Sequence, residues 1–313
     1  MKRVLEISTR GIRLHLKDAQ LLIRKDEETL ATVPVEDVGV VILDSTGISI
    51  SSGALKALSS HGAVVLSCDD SHHPVGLFLP LQANSLHGER LRFQVSASAP
   101  FGKNVWGHII RAKIVNQARN LSPIPERKRL LQLAASVKSG DSGHCESQAS
   151  RIYWGVVFRD LPGVPSSFRR QREGPPPNGL LNYGYAVIRA AIARALCGAG
   201  LHPGLGIHHR NRYNPFCLAD DLMEPFRPFV DSAVRDTVTA GETTVTKNAK
   251  SLLIGVLKRQ VNMSGKSVSV ELAIERAAQS LAKAYESHVK RGTPATRAAR
   301  ALLLPETIID QGS

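Results

Sequence analysis

The hydrophobic period of this chain changes near residue 80, and that change limits the fold more than any other feature. Before it, short apolar runs alternate with turn residues. VLEIS, GIRLHL, LLIRK, VGVVILD, ISISS, AVVLSCDD and VGLFLPL read as strands by β-branched content and period two. Within this stretch Ser51 and Ser52 precede GALKALSSHG, which reads as a short helix with a hydroxyl N-cap and a stop at Gly62. From about residue 81 the spacing lengthens to helical periods, broken by Gly and Pro clusters at SAPFGKN, SPIPE, SGDSG, REGPPPNG and SGKS. The pattern predicts an α+β protein: a small, mainly β N-terminal domain over residues 1–80 with one inserted helix, then a larger all-α domain over residues 81–313.

Length and charge narrow the function. A chain of 313 residues accommodates two such domains. Lys and Arg number 40 against 27 Asp and Glu, a formal net charge of +13, which favours a polyanionic partner; nucleic acid comes before an anionic membrane surface. No apolar run is long enough to span a bilayer, and the MKRVLEISTRGIRLHL start lacks the apolar core and cleavage site of a signal peptide. The expected compartment is therefore the cytoplasm, with no membrane partner. There Cys68, Cys145, Cys197 and Cys217, which form no CxxC pair, are expected as thiols acting as small buried hydrophobes. Basic residues recur through the helical part, Lys113 and Lys250 among them, and most read as ordinary surface charges. Residues 169–178, RRQREGPPPN, read as a solvated linker, with DNA contact as the second reading.

The densest chemistry lies in residues 202–231, HPGLGIHHRNRYNPFCLADDLMEPFRPFVD. Leu218, Leu222, Phe226, Val230 and Val234 recur every four residues and form an apolar face for the core. Asp221 and Glu224, three residues apart, project from an adjoining face while Asp220 points away. The pair is either a set of hard oxygen ligands or part of a solvated face. His209, in the loop before this helix, reaches the same point as a ligand or a proton-transfer group, and the mixture suits Mg²⁺ or Mn²⁺. Pro225 breaks the helix ladder directly after Glu224, either kinking it to aim the carboxylate or starting a new helix.

A further acid, Glu146, follows the turn Gly140-Asp141-Ser142-Gly143 at the start of a helix; it either faces the same cavity or serves the helix dipole. The helical pattern of residues 181–199 supplies a core partner that delivers the histidine loop. His208 and His209 are adjacent and cannot both aim at one point from regular backbone, so one is expected to be a hydrogen-bonded support. Arg210, Arg212 and Arg227, near the acids, are the candidate phosphate contacts.

Taken together, SGDSGHCESQASRIYW, LNYGYAVIRAAIARALCGAGLHPGLGIHHRNRYNPF and LADDLMEPFRPFVD resemble the CRISPR-associated spacer integrases, the Cas-one endonuclease family. VPVEDVGVVILDS, ALSSHGAVVLSCDD and HPVGLFLPL look like that family's β domain, so the likeness runs through nearly the whole chain in order. It is most similar to the version accompanying single-protein RNA-guided effector nucleases. The resemblance implies a β domain used in homodimerisation and a helical catalytic domain whose Mg²⁺ or Mn²⁺ is held by Glu146, His209 and Glu224, with Asp221 one turn earlier as a further acid. It also implies a small ferredoxin-like CRISPR adaptation protein as partner, bridging two integrase dimers in a heterohexamer-type complex.

The implied reaction inserts short foreign DNA fragments into a double-stranded CRISPR repeat, a DNA 3′-hydroxyl attacking a phosphodiester. Two rival readings are a non-catalytic DNA-binding scaffold and a metal nuclease that cuts branched DNA without integrating. His144 and Cys145 stand where a small polar residue is expected before Glu146, and read as packing or exposed residues instead of ligands.

Overall fold

The computed structural model describes residues 2–69, 74–80, 84–122, 124–165 and 168–307. The N-terminal part holds β1 (Arg3–Ile7), β2 (Ile12–Lys17), β3 (Gln20–Lys25), β4 (Glu28–Pro34), β5 (Val38–Leu43), β6 (Ser49–Ile50), α1 (Ser52–Ser60), β7 (Val64–Cys68) and β8 (Pro74–Phe78). These strands form two four-stranded sheets, ordered β1-β5-β7-β8 and β4-β3-β2-β6. In the first, β1, β5 and β7 run parallel and β8 antiparallel. The second is antiparallel except where β6 pairs with β2. Ser51 caps α1 by accepting the Ala54 N–H, and Gly62, at φ 70°, takes the chain out of the helix as expected.

Alternation along the strands decides what each face covers. Val40, Ile42, Val64 and Leu66 join the helical core, whereas Ile7, Val41 and Val65 pack between the two sheets with Leu58 of α1. The first sheet is thus apolar on both faces, which is why β5 reads as an unbroken apolar run.

The remainder comprises α2 (His87–Ser96), α3 (Ala99–Arg119), α4 (Pro125–Ser136), α5 (Cys145–Trp154), α6 (Asn178–Gly198), α7 (Cys217–Met223), α8 (Arg227–Thr239), α9 (Lys247–Ile254), α10 (Val270–Val289) and α11 (Ala295–Ala299). It is not all-α: β9 (Gln260–Met263) and β10 (Lys266–Ser269) form an antiparallel hairpin between α9 and α10. The SGKS cluster, expected as a break between helices, supplies its two-residue turn, with Ser264 at φ 54° and Gly265 at φ 80°. Val261, Met263 and Val268 of the hairpin are buried.

Helix α6 is apolar on nearly every side, and it packs against α7, α8, α9, α10 and the strands β5 and β7. A Cβ at Gly184 would come within 2.5 Å of Val230 Cγ1, so this glycine lets α6 and α8 approach closely. The core crosses the boundary expected at residue 80. A second tie does so as well: Lys250 on α9 forms an ion pair with Asp44, and its Nζ lies 3.8 Å from Glu6. Lys250 is therefore a buried charge and not a surface one, because strand carboxylates compensate it inside. No helix among the described residues is long and apolar enough to cross a membrane.

One buried polar tie holds the helices around the site. Tyr153 of α5 donates to Asp231 Oδ2 at 3.0 Å, Tyr185 of α6 donates to Asp231 Oδ1, and Asn120 Nδ2 donates to the Tyr153 hydroxyl at 3.1 Å. Burial raises the Asp231 carboxyl to about 6, against the tyrosine hydrogen bonds that pull it down. The ordinary value is 3.8. Between these values the folded chain keeps a proton that the unfolded chain has released, so the stability this group contributes falls as pH rises through that window. Measured by denaturant unfolding, the stability advantage of the wild type over Asp231→Asn is expected to grow by about 1 kcal/mol as pH is lowered from about 7 to about 5. A gap that does not change with pH would contradict the assignment.

Candidate active site

Helix α5 starts from the glycine turn, and Asp141 caps it, accepting the N–H groups of Cys145 at 2.9 Å and Glu146 at 3.0 Å. With the helix end satisfied by Asp141, the Glu146 side chain reaches across to α3, where Lys113 Nζ donates to its Oε1 at 2.6 Å. The same Nζ lies 2.6 Å from Glu224 Oε2. Lys113 is buried, 7 % exposed, and so falls outside the majority of basic residues expected on the surface; the two carboxylates are what make its burial tolerable.

Glu224 opens a single 3-10 turn, Glu224–Phe226, between α7 and α8, so Pro225 both kinks the path and precedes a new helix. Asn116 Nδ2 holds this kink by donating to the Pro225 carbonyl at 2.9 Å and to the Pro305 carbonyl of the C-terminal segment at 3.0 Å. Arg227 Nε donates to Glu224 Oε1 at 2.8 Å, and its guanidinium lies 4.7 Å from the centre of the Tyr185 ring. Burial alone would raise the Glu224 carboxyl, but Arg227 and Lys113 outweigh it and hold it at about 2. Burial likewise disfavours charge on Lys113, and Glu224 and Glu146 reverse the effect, raising its pKa.

The histidine loop is fixed from beneath by Asp221, which is fully buried on α7. Its Oδ2 accepts the backbone N–H of Ile207 and of His208 (2.9 Å), and its Oδ1 accepts the N–H of His209 at 3.2 Å. The same Oδ1 lies 2.6 Å from His209 Nδ1, an arrangement that places the imidazole proton on Nδ1. This hydrogen bond raises the His209 pKa against the opposing effect of burial. The loop can close this tightly because residue 206 is glycine: a Cβ there would meet the His209 carbonyl oxygen at 2.2 Å. His208 is the supporting histidine, but by stacking instead of hydrogen bonding: its ring lies flat on Trp106, 4.1 Å between centroids at 3°. Asp220 turns away, as expected, to Arg189, 2.8 Å distant.

The expected site residues thus form two adjoining clusters. Glu146 and Glu224 meet at Lys113, while His209 pairs with Asp221. Among the described residues no three His, Cys, Asp or Glu side chains converge as a ready metal centre. The donors nevertheless fit a hard divalent cation in kind: two carboxylates already share one cation, and an imidazole has one nitrogen held by a carboxylate, which orients the ring and leaves the other nitrogen to bind a metal. Glu224 Oε2 is also buried, with Lys113 Nζ as its charged partner at 2.6 Å.

Of the candidate phosphate contacts, Arg227 is committed to Glu224, whereas Arg210 and Arg212 are exposed along a cleft of about 740 Å³ beside the loop. A second cavity of about 310 Å³ gathers Arg170, Arg172, Arg189 and Arg227 near His209. Arg170 belongs to the segment read as a solvated linker. It is instead anchored, donating to Asn178 Oδ1 at 3.0 Å and Asn182 Oδ1 at 2.7 Å and lying over Tyr185. Lys113 and Asn116 are the residues that sequence reasoning missed. Their signal is positional: both fall on the α3 face that carries Trp106, Ile109 and Ile110, where a polar side chain needs a buried partner.

Residues 5–262 match the family described as CRISPR associated protein Cas1. The CRISPR-associated endonuclease Cas1 of Neisseria meningitidis serogroup C (strain 8013) is 38% identical over 271 residues, covering 85% of this chain and 86% of that protein. In fold the chain is similar to a casposase bound to integration product, with a TM-score of 0.75 at 19% identity over 100% of this chain and 96% of that one. A chain of a Cas6-RT-Cas1–Cas2 complex gives a TM-score of 0.74 at 19% identity, over 99% of this chain and 36% of that one. With the family match running through most of its length and a relative this similar, the chain belongs to the CRISPR associated protein Cas1 family.

Proposed function

We propose that this protein is a divalent-metal-dependent DNA integrase of CRISPR adaptation, which joins the 3′-hydroxyl of a short foreign DNA fragment to a phosphodiester of the CRISPR repeat. The observation that carries the proposal is the meeting of half-buried Glu146 and buried Glu224 at one lysine, beside a histidine held by its own carboxylate, in a chain of net charge +13. Glu146, Glu224 and His209 Nε2 are the ligands in this reading, for Mg²⁺ or Mn²⁺. Asp221, considered as a further ligand, has both oxygens engaged by the loop, so its role is to orient His209.

When bound, such an ion supplies activation of the attacking hydroxyl and takes up charge on the leaving oxygen. The chain's own groups do the rest. Arg210 and Arg212 hold backbone phosphates at the rim of the cleft. Arg227 keeps Glu224 ionised and aimed, and the Trp106–His208 stack fixes the loop that presents His209. In the exchange a bond forms between the incoming 3′-oxygen and phosphorus while the repeat's own bond to phosphorus breaks. The proton lost by the attacking hydroxyl is balanced by one gained on the leaving oxygen, and the number of phosphodiesters is unchanged, so no nucleotide cofactor is consumed.

Double-stranded DNA is the proposed partner, in keeping with a relative named an endonuclease and a neighbour bound to an integration product. A homodimer through the N-terminal sheets is supported by β4, a sheet edge on which Leu30 is exposed. A small ferredoxin-like adaptation protein bridging two dimers is proposed from the Cas1–Cas2 assembly of a similar fold. Such a role belongs in the cytoplasm.

The test is strand joining of an end-labelled short duplex into a supercoiled repeat-bearing plasmid, with the small partner and Mn²⁺ or EDTA. Label is expected to enter the plasmid only with metal, and Glu224→Ala to abolish joining while DNA affinity stays within about threefold, since affinity comes chiefly from Lys and Arg contacts to phosphates. Binding without joining by the wild type favours the scaffold; cutting of branched DNA without transfer of label favours the nuclease. DNA affinity is also expected to fall steeply with salt, with a log-log slope of roughly −0.9 per phosphate contacted. A flat response removes the argument from net charge.

A further inference from the structure

Lys113 takes no part in the reaction as proposed, yet it occupies the centre of the site. Its Nζ stands 2.6 Å from a carboxylate oxygen of Glu146 and 2.6 Å from one of Glu224, with side-chain exposures of 9% for the lysine, 31% for Glu146 and 6% for Glu224. The two cations on Glu224 are held differently. Arg227 donates to Oε1 from a planar guanidinium that also lies over Tyr185, whereas Lys113 reaches Oε2 through a single ammonium on a flexible stem, shared with Glu146. An ionic contact of that kind is one that another cation can replace.

A place for the displaced ammonium lies beside it. A pocket of about 130 Å³ is lined by Lys113, Gln117, Glu224 and Asp231, with the guanidiniums of Arg170 and Arg227 also on its wall, so an ammonium entering it has to settle at the Gln117 end. Gln117 sits one helical turn after Lys113 on α3, and its buried Oε1 accepts no hydrogen bond. That orphan acceptor, with the Asp231 carboxyl, is what an ammonium leaving the two glutamates requires.

We infer that Lys113 is the resident counter-cation of the site: its ammonium links Glu146 and Glu224 while no divalent ion is bound, and yields them, moving toward Gln117, when one enters. The inference rests on the metal reading above. Lys113 is then a positioning residue with two opposed effects. It stabilises the metal-free protein by compensating the buried Glu224 and the half-buried Glu146, and it weakens affinity for the ion by competing for the same oxygens.

The test uses the full chain, freed of metal with EDTA and dialysed, with Mn²⁺ as the probe. Mn²⁺ affinity is measured by calorimetry and melting temperature is followed with and without Mn²⁺, for the wild type, Lys113→Met and Lys113→Gln; the glutamine variant keeps hydrogen-bond donors without the charge. Both variants are expected to bind Mn²⁺ at least about tenfold more tightly than the wild type. They are also expected to melt below it in EDTA and to gain more from Mn²⁺. A Lys113→Met protein that is unfolded in EDTA and folds on adding Mn²⁺, followed by circular dichroism, supports the same conclusion. Folded variants whose Mn²⁺ affinity equals or falls below that of the wild type overturn the inference alone, as do variants that stay unfolded at every Mn²⁺ concentration. Absence of Mn²⁺ binding by wild type and variants alike overturns the metal reading and the inference with it.

Discussion

Two carboxylates carried on separate helices share one buried ammonium, and much of the helical architecture serves to bring those three groups together. A charge taken out of water is tolerated only beside its opposite, and removing one member of such a set strands the others. Lys113 comes from α3, Glu146 from the capped start of α5, and Glu224 from the break between α7 and α8, so none of these helices can shift without separating the charges. The ion pairs are not the main source of stability, which comes from the apolar burial around α6. They decide which arrangement of the helices is acceptable.

Asp221 and Glu224 show how a local break converts one helical face into two sites. On an uninterrupted helix, residues three apart are neighbours on the surface. Here α7 ends at Met223 and a 3-10 turn follows, so Asp221 turns to the histidine loop and Glu224 to Lys113 and Arg227. The freed carbonyl at Pro225 is taken by Asn116, which also grips the C-terminal segment. The Pro225 break is thus integrated into the core by a partner over a hundred residues away in sequence.

Local rules made the architecture legible in the sequence. The change of period marks where strands give way to helices, Ser51 and Gly62 bound α1, and the apolar ladder from Leu218 to Val234 is buried as its spacing predicts. The neighbourhood of Glu146, His209, Asp221 and Glu224 was also accessible, because turns, helix starts and a proline break place them by short-range geometry. Their pairing was not. That Lys113 joins residues 33 and 111 positions further along follows only from docking the helices, and a lysine in sequence carries no mark of whether its charge will be compensated. Arg170 and Lys250 escaped for the same reason: a proline-rich segment and a helix surface look solvated until a tertiary carboxylate, amide or ring is found to receive them. The hairpin of β9 and β10 was hidden for a different reason, its strands being four residues each and shorter than a reliable alternation.

The electrostatic balance of the site bears on how a basic protein of this kind handles DNA. An excess of Lys and Arg favours a polyanion from a distance, but on the integrase reading proposed above two glutamates at the reacting point would repel a phosphodiester if left uncompensated. In the structure they are not: Lys113 and Arg227 match Glu146 and Glu224 charge for charge, and the cluster is neutral. On the exchange proposed for Lys113, a divalent ion replaces a monovalent one between the carboxylates and leaves the same cluster with a net positive charge. Attraction of phosphate to the reacting point would then depend on the ion being in place, while attraction to the surrounding surface would not. In that reading DNA capture and readiness for chemistry are separable because they draw on different charges, the exposed Arg210 and Arg212 for the first and the Glu146–Glu224 pair for the second.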